Sequence, residues 1–583
     1  MYDLEPMENL VNMASGRKPA DLLIINAQVV DVFTGEIRET AVSVGDGKIL
    51  GFTPTQARHT VDAQGRFLLP GLIDAHIHIE SSMTTPVRFA SLVLPHGTTT
   101  VIADPHEIAN VHGLDGIRSM LESSRHLPLN VYISLPSCVP ATPFEDAGAT
   151  LLAEDLEDFI DDPRVIGIGE MMHFPGVIAA DFDVLAKVQL GIRHGKVVDG
   201  HAPGLLGQDL DAYLVTGISN THECSTLEEM DANLRRGSYV LIREGSAARN
   251  LKTLLPGVTP ANARRCAFCC DDRHPADIVR DGHMDNHLRL AVQMGMNPIQ
   301  AVTLCTLNAA ECFGLRTKGA IAPGRDADFI LVDDLHDFRI HQVFAAGTLV
   351  AEDGHLLAQL DNATAGAPTH SMHVAPLAAN AFELAFPDAS NAQTSLKVIG
   401  IQPHSLVTLH LSREVRLDAH KRFQCKDNPG LNKIAVIERH HGTGLLGLGL
   451  LEGYGLHGGA IATTIAHDSH NIVVAGDSDA DMQLAVRELV DMGGGIVLIA
   501  SGVVKGRLPL PIAGLMTSED PLAVSRQLAD MLQLAHTTLQ IPPAVEPFMT
   551  LSFMALPVIP ELKLTARGLF DVNLFSFVPI ENN

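Results

Sequence analysis

Eight short apolar runs recur along the first half of this chain, and most of them carry a histidine or an acid at or next to their last residue. They are Leu68–His78, Thr98–Asp104, Asn130–Pro136, Val165–Met171, Val197–His201, Ile218–His222, Ser238–Arg243 and Cys266–Asp271. The stretches between them can each hold a helix with its loops. Apolar strands alternating with helical segments are the signature of parallel βαβ units, whose strands are covered on both faces. Eight such units closing on themselves make a barrel of about 250 residues. The span from Leu68 to about Leu315 has that length, which predicts an α/β chain with a (β/α)8 TIM-type barrel over residues 70–318.

The flanks read differently. Residues 21–69 alternate apolar and polar residues between turns at Gly35, Gly47 and Gly65, and residues 319–358 return to the same pattern. Segments 1–69 and 319–358 are therefore expected to be two halves of a small β-sandwich beside the barrel. Residues 359–395, rich in Ala, Pro, Asn and Ser, read as a linker or loose crossover. Residues 396–583 hold strands, a helix and glycine-rich turns, and predict a C-terminal α+β domain.

Composition narrows the partners. The formal net charge of −27 repels nucleic acid backbones, and with no Trp and five Tyr the chain offers no stacking platform for single strands. A free nucleobase carries no phosphate and is not excluded. No uncharged apolar run is long enough to span a membrane, and MYDLEPMENL lacks a basic-then-apolar signal. The eight cysteines are scattered apart from Cys266, Cys269 and Cys270, so a reduced, cytoplasmic setting is expected. A homo-oligomer, dimer or larger, is also expected.

The chemistry lies at the strand ends. Strand one ends in His76 and His78, strand two in Asp104, strand four in Glu170, strand five in His201, strand six in His222 and strand eight in Asp271 with Asp272. In a barrel these ends meet at one mouth. Alternation along a strand sets both rings of His76-Ile77-His78 on one side, where they can grip one ion. Four imidazoles with carboxylates suit divalent zinc, manganese or iron better than magnesium or calcium. Two neighbouring ions need a bridging anion, and Glu170 has two oxygens to share. A bound divalent metal lowers the pKa of its water toward about 7 and supplies hydroxide. Asp271 can take up the proton and pass it to a leaving group, work typically worth about 10²–10⁴ in rate.

Other polar residues stay open between site and structure. Asp-Pro at 104–105 also caps turns, His106 and Glu107 fit either a loop or the site, and Asp272 fits a supporting or capping role. CAFCC at 266–270 lacks a second ligand pair nearby and reads as buried strand cysteines rather than a zinc site. HDSHN at 467–471 fits a pocket entrance or a hydrogen-bonded turn.

Taken together, LPGLIDAHIH, GEMMHFPGV, DGHAPG, THE and CDDRHP resemble the amidohydrolase superfamily. IDAHIHIESSMTTP (73–86), ADPHEIANVHG (103–113), REGSAARNL (243–251), AHDSHNIVVAG (466–476) and LPLPIAGLM (508–516) narrow the resemblance to the bacterial adenine deaminases. That resemblance covers most of the chain. It implies hydrolytic deamination of adenine, a small purine base, to hypoxanthine and ammonia by a metal-activated hydroxide. It also implies two divalent ions, manganese or iron with zinc as the alternative. His76, His78, Glu170, His201, His222 and Asp271 would be the ligands, and Asp271, Glu170 and Asp104 would carry protons. Many superfamily members bridge their metals through a modified lysine; GEMM has none, which leaves Glu170. His173 stands where Asp or Asn is expected and bears on the pocket wall. Arg243, Ser246 and Arg249, in the loop after strand seven, are expected to contact the purine. The rivals are an amidohydrolase cleaving a cyclic amide or imide, a cytidine-deaminase-like zinc enzyme, which CAFCC matches poorly, and a non-catalytic metal-binding protein.

Overall fold

The computed structural model describes residues 4–246, 248–360, 368–389, 391–403 and 405–582. The two expected β segments lie in one nine-stranded sheet. Its seam is an antiparallel ladder in which Phe67–Pro70 runs against Phe329–Val332, pairing Leu69 with Ile330. Alternation puts Val29, Val42, Val44, Phe329 and Phe344 into a common core, so burial on that face holds together segments more than two hundred residues apart.

The first apolar run, expected as one strand, is two. Phe67–Pro70 belongs to the nine-stranded sheet, and Leu72–His78 begins a parallel one. The break falls at Gly71, where a Cβ would stand 2.1 Å from Thr99 Oγ1, so only glycine lets the chain cross there.

The parallel strands are β1 (Leu72–His78), β2 (Thr98–Ala103), β3 (Asn130–Leu135), β4 (Val165–Met171), β5 (Val197–Gly200), β6 (Asn220–Thr221), β7 (Tyr239–Arg243) and β8 (Cys266–Cys269, resuming at Asp271–Asp272). Their ladder runs from β5 through β4, β3, β2 and β1 to the second half of β8. The first half of β8 pairs with β7, and β7 with β6. The sheet is thus curled, with Asp271 and Asp272 registered against Ile77 and His78 of β1. Between β5 and β6 the Ser219 amide donates to the Val198 carbonyl at 3.2 Å. Every residue of β1, β2 and the first half of β8 is buried, which is why apolar residues dominate these runs even though Asp74, His76 and Thr98–Thr100 are buried among them.

Beyond residue 392 an eight-stranded sheet, Gln393–Gly400 through Val503–Pro509, is covered on both faces. Helix Asp479–Asp491 packs Met482, Ala485 and Leu489 against Ala460, Ala462 and Val474. Helix Pro521–Thr537 packs Val524, Leu528 and Met531 against the core holding Leu498 and Leu508. Part of the segment expected as a linker or loose crossover packs against this unit, while most of its other described residues are exposed or half-buried. Phe382, Leu384 and Phe386 are buried in the cores of this unit, because a segment carrying three large apolar side chains gains more by covering sheet than by staying solvated.

This C-terminal unit is seated on the curled sheet. Ile512, Ala513, Leu515 and Met516 join the same apolar core as β1 and β2. Thr517 N donates to Met83 O at 2.9 Å, Asn471 Nδ2 to Asp146 O at 2.8 Å, and Arg567 pairs with Asp146 at 2.7 Å. Among the described residues no helix is long and apolar enough to cross a membrane.

Candidate metal centre

The C-terminal ends of β1, β4 and β8 and the turns after β5 and β6 bring the six expected ligands to one place. His78 Nε2 lies 3.3 Å from Glu170 Oε1 and 3.1 Å from Asp271 Oδ1. His76 Nε2 lies 4.0 Å from Glu170 Oε1. On the other side of the same carboxylate, His201 Nδ1 is 2.6 Å and His222 Nε2 3.0 Å from Oε2. Glu170 thus shows one oxygen to each of two imidazole pairs.

Two details show what the cluster is built to hold. His76 Nδ1 faces the Asp199 carboxylate at 3.0 Å and His78 Nδ1 faces the Asp104 carbonyl at 2.9 Å. Both partners accept hydrogen bonds, so both Nδ1 atoms carry the hydrogen and both Nε2 lone pairs face inward, 3.2 Å from each other. Lone pairs opposed at that distance repel unless a cation lies between them. His222 is fully buried, yet neither ring nitrogen has a hydrogen-bond partner, and its Nε2 faces Glu170 without hydrogen-bond alignment. A buried imidazole left that way costs free energy unless it ligates. The donor set therefore fits a divalent cation, and the ring-orienting Asp199 and Asp104 carbonyl are the outer partners such a site uses.

Electrostatics agree. Burial alone would lower the His76 imidazole, but Asp199 raises it to about 9. Burial pushes the Glu170 carboxyl up, yet His201 and His222 hold it well below the usual carboxylate range. Asp271 is likewise held down against burial by His78 and Arg243. The acids press positive charge onto the imidazoles, and a dication can supply that charge in place of protons.

Local backbone chemistry sets these directions. Asp271 has φ +61°, a left-handed conformation that Asp tolerates better than most residues, and it opens the second half of β8 just after the break at Cys270. Asp104 accepts the Glu170 amide through Oδ2 at 2.9 Å. A Cβ at residue 169 would stand 2.1 Å from that oxygen, so Gly169 is what lets Asp104 approach. Asp104 Oδ1 stays buried and unpaired.

The residues expected to meet the purine are held by acids of the chain. Arg243 forms a bidentate pair with Glu223, with Nη2 at 2.8 Å from Oε2, and donates to Asp271 at 2.7 Å and Asn250 at 3.0 Å. Ser246 donates to Asp277, and the half-exposed Arg249 lies 3.7 Å from the same carboxylate. Asp272 accepts from Ser81 Oγ at 2.5 Å, beside the site. Cys266 and Cys269 are buried strand cysteines, and burial pushes the Cys266 thiol up to about 12.

Residues 67–350 match the amidohydrolase family, and residues 405–576 match the adenine deaminase C-terminal domain. An adenine deaminase of Nitratidesulfovibrio vulgaris strain DP4 is 58% identical over 575 residues, covering 98% of this chain and 99% of that protein. The chain belongs to the adenine deaminase family. Adenine deaminases of Desulfatibacillum aliphaticivorans (46% identical; 98% of this chain, 99% of that one) and Clostridium acetobutylicum (43%; 98% and 100%) are further members. Among solved structures, a β-aspartyl dipeptidase of Fervidobacterium islandicum has a TM-score of 0.44 at 19% identity, over 58% of this chain and 98% of that one.

In this adenine deaminase relative the sequence reading missed two neighbours of the site, Asp199 and Glu223, and left Asp468 of HDSHN open between a pocket entrance and a hydrogen-bonded turn. Asp199 lies two residues before His201, the same-face spacing that singled out His76 and His78, and could have been found by it. Glu223 sits in the quoted THE motif and binds Arg243. Asp468, from the C-terminal unit, lies 3.7 Å from His106 Nε2, and no local pattern announces that approach.

Proposed function

We propose that the chain hydrolyses adenine to hypoxanthine and ammonia at the mouth of a (β/α)8 barrel, with two divalent ions shared through Glu170. The reading rests on Glu170, whose two oxygens each face a separate imidazole pair, together with the activity named for relatives that align over nearly the whole chain. His76, His78 and Asp271 would hold one ion, His201 and His222 the other. Manganese or iron, with zinc as the alternative, would acidify a water so that hydroxide strength is reached near neutral pH.

The chain's own residues then handle protons. Asp271, kept ionised by His78 and Arg243, is oriented to accept a proton from the attacking water and to return it to the departing amine. Asp104 is tethered at Oδ2 by the Glu170 amide, which leaves Oδ1 as the oxygen available to the ring nitrogen beside C6. Protonation there makes C6 more electrophilic and stabilises the tetrahedral adduct. Water adds at C6, the C–N bond to the amine breaks, and ammonia leaves. Eight buried free thiols fit a reducing cytoplasm.

The test is ammonia release from adenine after manganese or iron reconstitution, with hydantoin and dihydroorotate as competing substrates. Ammonia and hypoxanthine should form one to one, with about two ions per chain by elemental analysis. Turnover of the cyclic amides alone would overturn the substrate, and full activity at one ion per chain would overturn the Glu170 bridge.

A further inference from the structure

The loop that carries Asp468 belongs to the C-terminal unit, yet it ends inside the metal centre's wall. His467, Asp468, Ser469, His470 and Asn471 are all buried, and Asp468 is 3% exposed. A carboxylate removed from water at a junction between units costs several kcal/mol unless a positive partner repays it. Within ion-pair distance of Asp468 lies the His106 ring, whose Nε2 is 3.7 Å from Oδ1. The opposite nitrogen of that ring, Nδ1, faces Glu170 Oε1 at 3.5 Å and Asp104 Oδ1 at 3.7 Å. His106 is thus a spacer one imidazole wide, with the C-terminal unit's acid on one side and, on the other, Asp104, a proposed proton carrier, and Glu170, the proposed bridge.

The polar atoms around this ring are conspicuous for what they lack. Asp104 Oδ1, His106 Nδ1 and Asp468 Oδ2 are all buried, and none has a hydrogen-bond partner. Glu145, on the other side of the junction, does not compete for His106. It accepts from Thr142 N at 3.1 Å and Thr142 Oγ1 at 3.2 Å, and burial beside Asp468 pushes its carboxyl up to about 8.

We propose that Asp468 is a positioning residue: the C-terminal unit uses it to hold the His106 ring edge-on against Asp104 and Glu170, so that the deamination centre is complete only when both units are docked. The proposal rests on the functional reading above and adds to it a contribution from outside the curled sheet. Docking is secured by contacts that do not involve Asp468, among them Arg567 with Asp146 and Thr517 N with Met83 O. Removing the charge at 468 therefore probes the ring rather than the interface.

The experiment compares wild type, Asp468→Asn, His106→Gln and the double variant on adenine, each checked for metal content. Asp468→Asn should keep its metal and a KM within about threefold while kcat falls about 10–100-fold, the usual cost of losing a carboxylate that orients a histidine. In the His106→Gln background the same change should cost under about threefold, because its effect passes through that ring. A crystal structure of Asp468→Asn should show the His106 ring turned away from Glu170. Unchanged kcat, an undiminished penalty in the double variant, or an unmoved ring would each overturn the proposal. Wild type that releases no ammonia from adenine would strike the functional reading instead, and the ring orientation would still decide the role of Asp468.

Discussion

Two buried clusters of acids and imidazoles lie close together in this molecule, with nearly the same composition and opposite wiring. In the first, His76 and His78 point Nε2 lone pairs at each other across 3.2 Å, and both nitrogens of His222 are unpaired. In the second, around Glu107, protein groups meet His467 and one nitrogen of His470, although His470 Nε2 is buried without a hydrogen-bond partner. His467 Nδ1 meets Glu107 Oε1 at 3.2 Å, Ser81 Oγ meets the same oxygen at 3.1 Å, and His470 Nδ1 accepts the Ala466 amide at 3.2 Å. That last bond places the His470 hydrogen on Nε2, the atom nearest Glu107, so this ring cannot offer a lone pair to a cation there. Ligand-type residues gathered in one place do not make a metal centre; the direction of their lone pairs does.

The contrast can be broken most sharply at Glu170. Glu170→Gln should lower turnover by about 10³-fold or more and bring metal content below two per chain, since the ions supply several kcal/mol of barrier lowering. A variant that keeps both ions and its activity would erase the distinction between the clusters. Asp271→Asn comes next, with an expected loss of about 10²–10⁴ in kcat and an unchanged fold by circular dichroism. Near-normal turnover would remove Asp271 from proton transfer.

The second cluster should respond in stability rather than chemistry. Glu107→Gln should keep its metal and stay within about tenfold of wild-type turnover, while losing about 3–5 kcal/mol in denaturant unfolding, because His467 is left as an uncompensated buried charge. Loss of metal from this variant would mean that the clusters are not separate. The smallest effect is a pH dependence. Burial would lower the His467 imidazole, but Glu107 and then Asp272 raise it to about 9. A group raised above its unfolded value of 6.5 stabilises fully below pH 6.5, and that stabilisation drains away as pH rises through about 9. The stability gap between wild type and Glu107→Gln should therefore narrow between pH 6.5 and 9.5, by roughly 3 kcal/mol at most. A constant gap would show that His467 carries no charge there.

The strand ends were readable because their rule is local. Alternation puts residues i and i+2 on one side, and the apolar runs stop where a polar side chain reaches the mouth, so His76, His78, Glu170 and Asp271 stand out in the chain itself. Side-chain direction was not readable. Arg243 is the last residue of β7 rather than part of the expected mouth loop, and Glu223 and Asp271 take up its guanidinium, which makes it a partner of the acids. Gly71 divides a run that looks continuous, because what forbids a side chain there is Thr99 of the neighbouring strand.

By itself, the amino-acid order determined the alternation of strands and helices, the chemistry at the strand ends and the presence of a separate C-terminal unit, since each follows from residues close together in the chain. Only the tertiary structure decided which nitrogens lack partners, where Arg243 pairs, and that Asp468 lands beside His106, 362 positions earlier in the chain. Those outcomes depend on contacts between distant segments, where a few tenths of an ångström separate an ion pair from a solvated acid and no periodicity in the sequence carries the information.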